Sequence, residues 1–200
     1  MSKVSTVDYP KKIVTTIFTQ GCNIDCEYCH NKDLIPLDIF PTLPENEIFD
    51  NIDKRRKTLD GICITGGEPT LWGDALIDFI RKIKVRYGDS FLVKLDTNGR
   101  NPDFIKKVLN VVDYIALDFK GLYMLNAVWL KSLNLARAAK DYEVRLTMYP
   151  KYFPVRCFKS ISKVLYYDKV QLQRCVCNDP YSDNVLNDFS KLFNKCKEIK

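Results

Sequence analysis

The spacing of apolar residues along the chain alternates between a period of two and a helical period, and each switch marks an element. Ile13 to Phe18 is a β-branched run and predicts a first strand. Asp60-Gly61-Ile62-Cys63-Ile64-Thr65 predicts a short buried strand ending in glycines. Four more strands are expected over Phe91–Leu95, Tyr114–Asp118, Tyr142–Met148 and Val170–Cys175. Between them the apolar positions fall at helical spacing, most plainly at Ala75, Ile77, Phe79, Ile80 and Ile83. Pro36, Pro41 and Pro44 keep the stretch before the first helix irregular, and Pro44 opens that helix toward Lys57. Further helices are predicted at Pro102–Leu109, about Leu125–Lys140, Phe158–Leu165 and about Asp183–Lys195.

Strand and helix thus alternate six times, which builds a parallel sheet with helices on its outside. Six units are two short of a closed eightfold barrel, so the expected fold is α/β, an open partial (β/α)6 barrel. With no repeat, low-complexity tract or linker, residues 1–200 read as a single domain, a length that suits one core.

An apolar share of 46% with 12% aromatic residues excludes a disordered chain. No run approaches the roughly 18 apolar residues of a membrane span. Met1-Ser2-Lys3-Val4-Ser5 has no apolar leader region, so a cytoplasmic protein with no membrane partner is expected. The net charge of +6, from 31 basic and 25 acidic residues, is spread over the chain. Its one dense basic run, Lys54-Arg55-Arg56-Lys57, falls at a predicted helix C-terminus and complements the dipole, so no nucleic-acid partner is expected.

Eight cysteines in such a chain point to metal chemistry or catalysis rather than disulfides. Cys22, Cys26 and Cys29 form a C-x3-C-x2-C triplet on the loop after strand one. An iron–sulfur cube is normally held by four thiolates. Three leave one iron open, and an open position distinguishes a catalytic metal from a structural one. A zinc site is the plain alternative, but it uses paired C-x2-C ligands, and His30 is badly placed beside Cys29 to complete it. Cys63 reads as a small core hydrophobe. Cys175 and Cys177 lack the spacing of a second cluster, and Cys157 and Cys196 receive no role.

The other polar motifs follow strands too, where barrel active sites lie. They are Gly66-Gly67-Glu68-Pro69 after strand two, Asp96-Thr97-Asn98-Gly99 after three and Asp118-Phe119-Lys120 after four. Arg145 and Thr147 share one face of strand five, as do Gln171 and Gln173 on strand six. The plain alternative for the two aspartates is helix capping.

C-x3-C-x-Tyr-C followed by Gly-Gly-Glu-Pro resembles the radical S-adenosylmethionine (SAM) enzymes. Val7-Asp8-Tyr9-Pro10 running into Gly21-Cys22, with Cys29-His30-Asn31 closing the loop, resembles the glycyl-radical-enzyme activases. The likeness is greatest to the activating protein of anaerobic ribonucleoside-triphosphate reductase and extends from about Val7 to Asn178. It implies a barrel of the radical SAM type and a [4Fe–4S] cluster on Cys22, Cys26 and Cys29, with SAM at the open iron. One electron would cleave SAM, and the resulting 5′-deoxyadenosyl radical would take hydrogen from a glycine of a partner enzyme. That partner would be anaerobic ribonucleotide reductase, and the electron would come from a flavodoxin- or ferredoxin-type donor.

By the same resemblance Tyr28 and His30 lie at the adenine, and Gly66, Gly67, Glu68 and Pro69 serve the SAM amino group. Asp96, Thr97, Asn98 and Asp118 lie on the sulfonium side, with a monovalent cation between the two carboxylates as an option. Lys120 pairs with the SAM carboxylate, and Arg145 and Thr147 point inward to SAM. From their shared face on strand six alone, Gln171 and Gln173 are expected to line the radical path. Cys22, Cys26, Cys29, Lys120 and Arg145 form the expected catalytic set. Pro10-Lys11-Lys12 departs from the reductase activases, and the last strand lacks the histidine of some formate-lyase activases. Two alternatives remain. A 7-carboxy-7-deazaguanine synthase-like enzyme would carry Asp-Thr where this chain has His30-Asn31. A non-catalytic iron–sulfur electron carrier would need neither Gly-Gly-Glu-Pro nor the strand-end carboxylates.

Overall fold

Seven strands form one sheet in a computed structural model, which describes residues 1–2, 4–38, 40–176 and 180–199. They are β1 (Val14–Thr19), β2 (Gly61–Gly66), β3 (Leu92–Thr97), β4 (Tyr114–Phe119), β5 (Tyr142–Met148), β6 (Lys169–Arg174) and β7 (Lys195–Ile199). They pair in sequence order, and every pair is parallel. Helices α1 (Glu45–Asp53), α2 (Gly73–Tyr87), α3 (Pro102–Val108), α4 (Ala127–Arg137), α5 (Phe158–Val164) and α6 (Asp183–Ser190) fall between successive strands. The expected α/β architecture of a partial barrel is present.

The C-terminus differs from expectation. The last helix ends at Ser190 rather than near Lys195, and residues 195–199 add a seventh strand on β6. Phe189 stacks on Phe158 at 3.9 Å and Phe193 packs edge-on against Phe189, which turns the chain back to the sheet. A five-residue edge strand gains its order from the β6 ladder, a long-range partner that local periodicity does not reveal. The first helix also stops early, at Asp53, so Lys54–Lys57 occupy the turn beyond it. Arg56 there lies over the Phe91 ring at 4.7 Å. Helix α4 starts at Ala127 because the Asn126 side chain accepts hydrogen bonds from the Val128 and Trp129 amides.

Strand alternation divides the sheet into two chemistries. Ile62, Ile64, Val93, Leu95, Ile115, Leu117, Val144 and Leu146 pack outward against the helices and form the core. Burying each such side chain contributes about 1.5–3 kcal/mol. The alternate positions carry Thr16, Cys63, Lys94, Asp96, Asp118, Arg145 and Thr147. Helix α4 also braces two strand ends directly. Trp129 Nε1 donates to the Asp118 carbonyl (3.1 Å), and Ser132 Oγ donates to the Gly99 carbonyl (2.6 Å). No helix among the described residues is long and apolar enough to cross a membrane.

Candidate active site

The loop after β1 is built by backbone contacts before any side chain acts. Gly21 N donates to Leu34 O (2.8 Å), Cys22 N to Ile35 O (3.0 Å), and Cys29 N closes a turn on Cys26 O (2.9 Å). The loop after β2 presses against it, since Gly67 N donates to Thr19 O (2.8 Å) and Glu68 N to Gly21 O (2.6 Å). This contact explains the paired glycines. A Cβ on Gly67 would stand 2.1 Å from the Gly21 carbonyl oxygen, and one on Gly66 (φ +122°) would stand 2.4 Å from Thr19 N. Close approach to the β1 backbone therefore already requires glycine at both positions.

Glu68 is 1% exposed and fully used by its neighbours. One carboxylate oxygen accepts from Thr70 Oγ1 (2.6 Å) and Thr97 Oγ1 (2.7 Å), and the other from Asn98 N (2.7 Å). Burial pushes its carboxyl up, against the hydrogen bonds that pull it down. Glu68 thus stitches the end of β2 to the end of β3. Asn98 Nδ2 extends the stitch to Asn23 Oδ1 in the cysteine loop (2.7 Å).

A chain of alternating charges crosses the strand ends. Lys94 Nζ donates to Asp96 (2.6 Å), Arg145 donates from one nitrogen to Asp96 (2.8 Å) and from Nε to Asp118 (2.6 Å), and Lys120 Nζ donates to Asp118 (2.8 Å). Burial raises the Asp118 carboxyl, but Arg145 and Lys120 outweigh it and hold the group at about 2. Asp96 is held low by the same balance, with Arg145 and Lys94 opposing burial. Burial disfavours the Arg145 charge, yet the two carboxylates keep the guanidinium well above its ordinary value. Three cations face two carboxylates in this row, and buried Glu143, two residues before Arg145, adds a third carboxylate to the field at the guanidinium. The Arg145 guanidinium occupies the position between Asp96 and Asp118 that the sequence offered to a monovalent cation.

These groups share one cavity of about 670 Å3, within the roughly 300–1,000 Å3 range of small-molecule sites. Its wall includes Cys22, Cys26, Cys29, Tyr28, His30, Gly66, Gly67, Glu68, Asp96, Thr97, Asn98, Asp118, Lys120, Arg145 and Thr147. Of the residues expected at the site, Pro69 and Gln171 do not line it. Pro69 is buried and opens the short turn behind Glu68. His30 is exposed at the rim. Tyr28 donates its hydroxyl to the Lys120 carbonyl (3.0 Å) and packs on Tyr149 and Tyr152 at 5.2 and 5.8 Å. Gln173 lines the cavity and accepts from Thr147 Oγ1 (3.4 Å), whereas Gln171 sits deeper with its amide against Glu143.

Sequence reasoning missed several contributors. Asp8, Phe18, Arg174 and Val176 line the cavity. Lys94 anchors the charge row at 2% exposure, and a charge two residues before Asp96 in an otherwise apolar strand was its signal. Cys63 is buried in β2 as expected, while Cys177 lies outside the described residues.

The three triplet thiols are free, and burial pushes those of Cys22 and Cys26 up. Among the described residues no three His, Cys, Asp or Glu side chains converge as a single-ion site requires. A cubane places different demands on its ligands. Each thiolate binds its own corner, so three free thiols spread along one cavity wall fit that group.

The family model for the Radical SAM superfamily matches residues 16–149. The chain belongs to the radical SAM superfamily. Membership implies SAM and an iron–sulfur cluster, and makes the chain a radical SAM enzyme. A Methanocaldococcus jannaschii protein with the provisional name glycyl-radical enzyme activating enzyme is 34% identical over 94% of this chain and 82% of its own length. The pyruvate formate-lyase-activating enzyme of Listeria monocytogenes is 33% identical over 60% of this chain, which spans about half (51%) of that relative. The solved structure of native anSMEcpe with bound AdoMet superposes with a TM-score of 0.57 at 17% identity, over 89% of this chain and 58% of that one. At that identity the likeness shows the radical SAM fold.

Proposed function

We propose that this radical SAM enzyme activates a glycyl-radical enzyme in the cytoplasm, and that the partner is anaerobic ribonucleoside-triphosphate reductase. Residues 1–200 are taken as one radical SAM domain. The observation that carries the proposal is that Cys22, Cys26 and Cys29 share one cavity with the strand-end row Asp96–Arg145–Asp118–Lys120. The relatives named for glycyl-radical and pyruvate formate-lyase activation support the reaction class. When bound, a cluster with SAM at its open iron supplies one-electron cleavage of SAM and a radical able to take hydrogen from glycine.

The chain's own residues bind, orient and enclose. Lys120 has three donors and commits one to Asp118, so others remain for the SAM carboxylate. Arg145 commits two of its five donors and holds both carboxylates in register, which gives it an orienting role beside SAM. Tyr28 and His30 flank the adenine side, and Glu68 fixes the Gly-Gly turn beneath the amino group. Beyond the SAM residues the cavity continues to Phe18, Gln173 and Val176, which leaves wall for a polypeptide loop. A flavodoxin- or ferredoxin-type protein supplies the electron.

The test is anaerobic. Reconstituted protein, dithionite and SAM are mixed with and without the organism's anaerobic ribonucleotide reductase, and EPR is recorded. An organic doublet that appears only with the reductase, alongside 5′-deoxyadenosine, supports the assignment. SAM cleavage without a doublet on the reductase removes that partner. No cleavage from a reduced cluster removes the activase function.

A further inference from the structure

Cys26 differs from the other two cluster cysteines. It is 7% exposed, whereas Cys22 and Cys29 are only half-buried. Tyr123 lies beside it, with its hydroxyl oxygen 3.8 Å from Cys26 Sγ and the residue itself 45% exposed. Tyr123 belongs to a short 3-10 turn, Leu122–Met124, after β4. That turn is held from three sides. Leu122 N donates to the Tyr152 carbonyl (3.2 Å), Met124 N to the Gly121 carbonyl (2.9 Å), and Lys120 N to Met124 Sδ (3.2 Å). The Tyr152 ring meets the Tyr123 ring edge-on at 5.5 Å. Gly121 (φ +150°) permits this packing, since a Cβ there would stand 2.9 Å from the Tyr123 ring and 2.8 Å from Tyr152 Cβ.

A metal-bound thiolate can only accept a hydrogen bond, and a phenol at neutral pH can donate one. We propose that the Tyr123 hydroxyl donates to the Cys26 sulfur of the bound cluster and so raises the cluster's reduction potential. Reduction adds one negative charge to the cluster and moves no proton. An O–H dipole aimed at a ligand sulfur stabilises the more negative state more, and hydrogen bonds to sulfur are a principal control on such potentials. Tyr123 is thus a tuning residue that acts through Cys26. The inference rests on the cluster assignment above.

The experiment is an anaerobic redox titration of the reconstituted protein without SAM. Dithionite supplies one electron per cluster, and the EPR signal of the reduced cluster reports the ratio. At the wild-type midpoint, Tyr123→Phe is expected to lower the reduced-to-oxidised ratio about tenfold, which is about 59 mV for a one-electron couple. Tyr152→Phe is the control, because the Tyr152 hydroxyl donates to Glu27 (3.4 Å) and not to a thiol. Should Tyr123→Phe fail to assemble a cluster, Tyr123→3-fluorotyrosine, a stronger donor of nearly the same shape, decides by shifting the potential upward. An unchanged potential in Tyr123→Phe overturns the proposal, as does an equal shift in Tyr152→Phe or no rise with 3-fluorotyrosine. Wild-type protein that takes up no iron and sulfide overturns the cluster assignment and this inference together; normal uptake with an unmoved potential overturns the inference alone.

Discussion

Two paired carboxylates bracket strand β4, Asp113 before its first residue and Asp118 near its last. Both are less than a tenth exposed and both are held low against burial by cations. Asp113 takes Lys84 and Lys140 from helix α2 and the loop after α4, and accepts the Val93 amide (2.8 Å). Asp118 takes Arg145 and Lys120, which line the large cavity with it. Burial, pairing and a displaced pKa are therefore the same at both ends, and only the cavity at the strand C-termini separates function from scaffolding.

Paired substitutions should break the comparison most visibly. Asp118→Asn leaves Arg145 and Lys120 sharing fewer anions and should lower 5′-deoxyadenosine formation roughly a hundredfold, the scale of a small misplacement at the chemistry. Asp113→Asn should lower stability by about 1–3 kcal/mol while turnover at a permissive temperature stays unchanged. Denaturant melts and a single-turnover SAM assay read both effects. Equal loss of turnover in the two variants would erase the distinction.

Acid titration sharpens it less strongly. Each carboxylate binds its proton more weakly folded than unfolded, so each contributes stability that is fully present above about pH 4, the unfolded range. That contribution is lost as pH falls through the folded values, about 2 for Asp118. Circular dichroism between about pH 5 and 2 should show a shallower loss of stability in both variants than in the wild type, because each lacks one such group.

The smallest effect is expected at Trp129. Trp129→Phe keeps an aromatic ring in the core and removes the bond to the Asp118 carbonyl, which should cost about 0.5–1.5 kcal/mol and reduce turnover a few-fold. A variant with wild-type turnover would mean that α4 does not position Asp118.

Most of the site was legible because its residues sit at strand ends, where alternation and the β/α rhythm jointly predict their position. That rhythm puts the cysteine triplet, the glycine pair, Asp96 and Asp118 at strand ends and Arg145 on the inner face of β5, while their roles toward SAM come from the family resemblance. What stayed hidden depends on contacts between distant segments. Strand β7 needs the β6 edge, the Trp129 bond reaches back 11 residues to a carbonyl, and the Tyr123 contact joins positions 97 residues apart. The Asp96–Arg145–Asp118 bridge was visible as three separate motif residues but not as one connected unit. Lys94 alone left a local trace, a charge in a buried apolar strand.

The most direct measurement is 5′-deoxyadenosine formed by reconstituted, reduced protein with SAM, compared with a Cys26→Ala variant of equal fold by circular dichroism. The wild type should cleave SAM, and Cys26→Ala should lose both the cluster's absorbance and the product. A Cys26→Ala protein that still yields 5′-deoxyadenosine would contradict the assignment of this cavity as the cluster and SAM site.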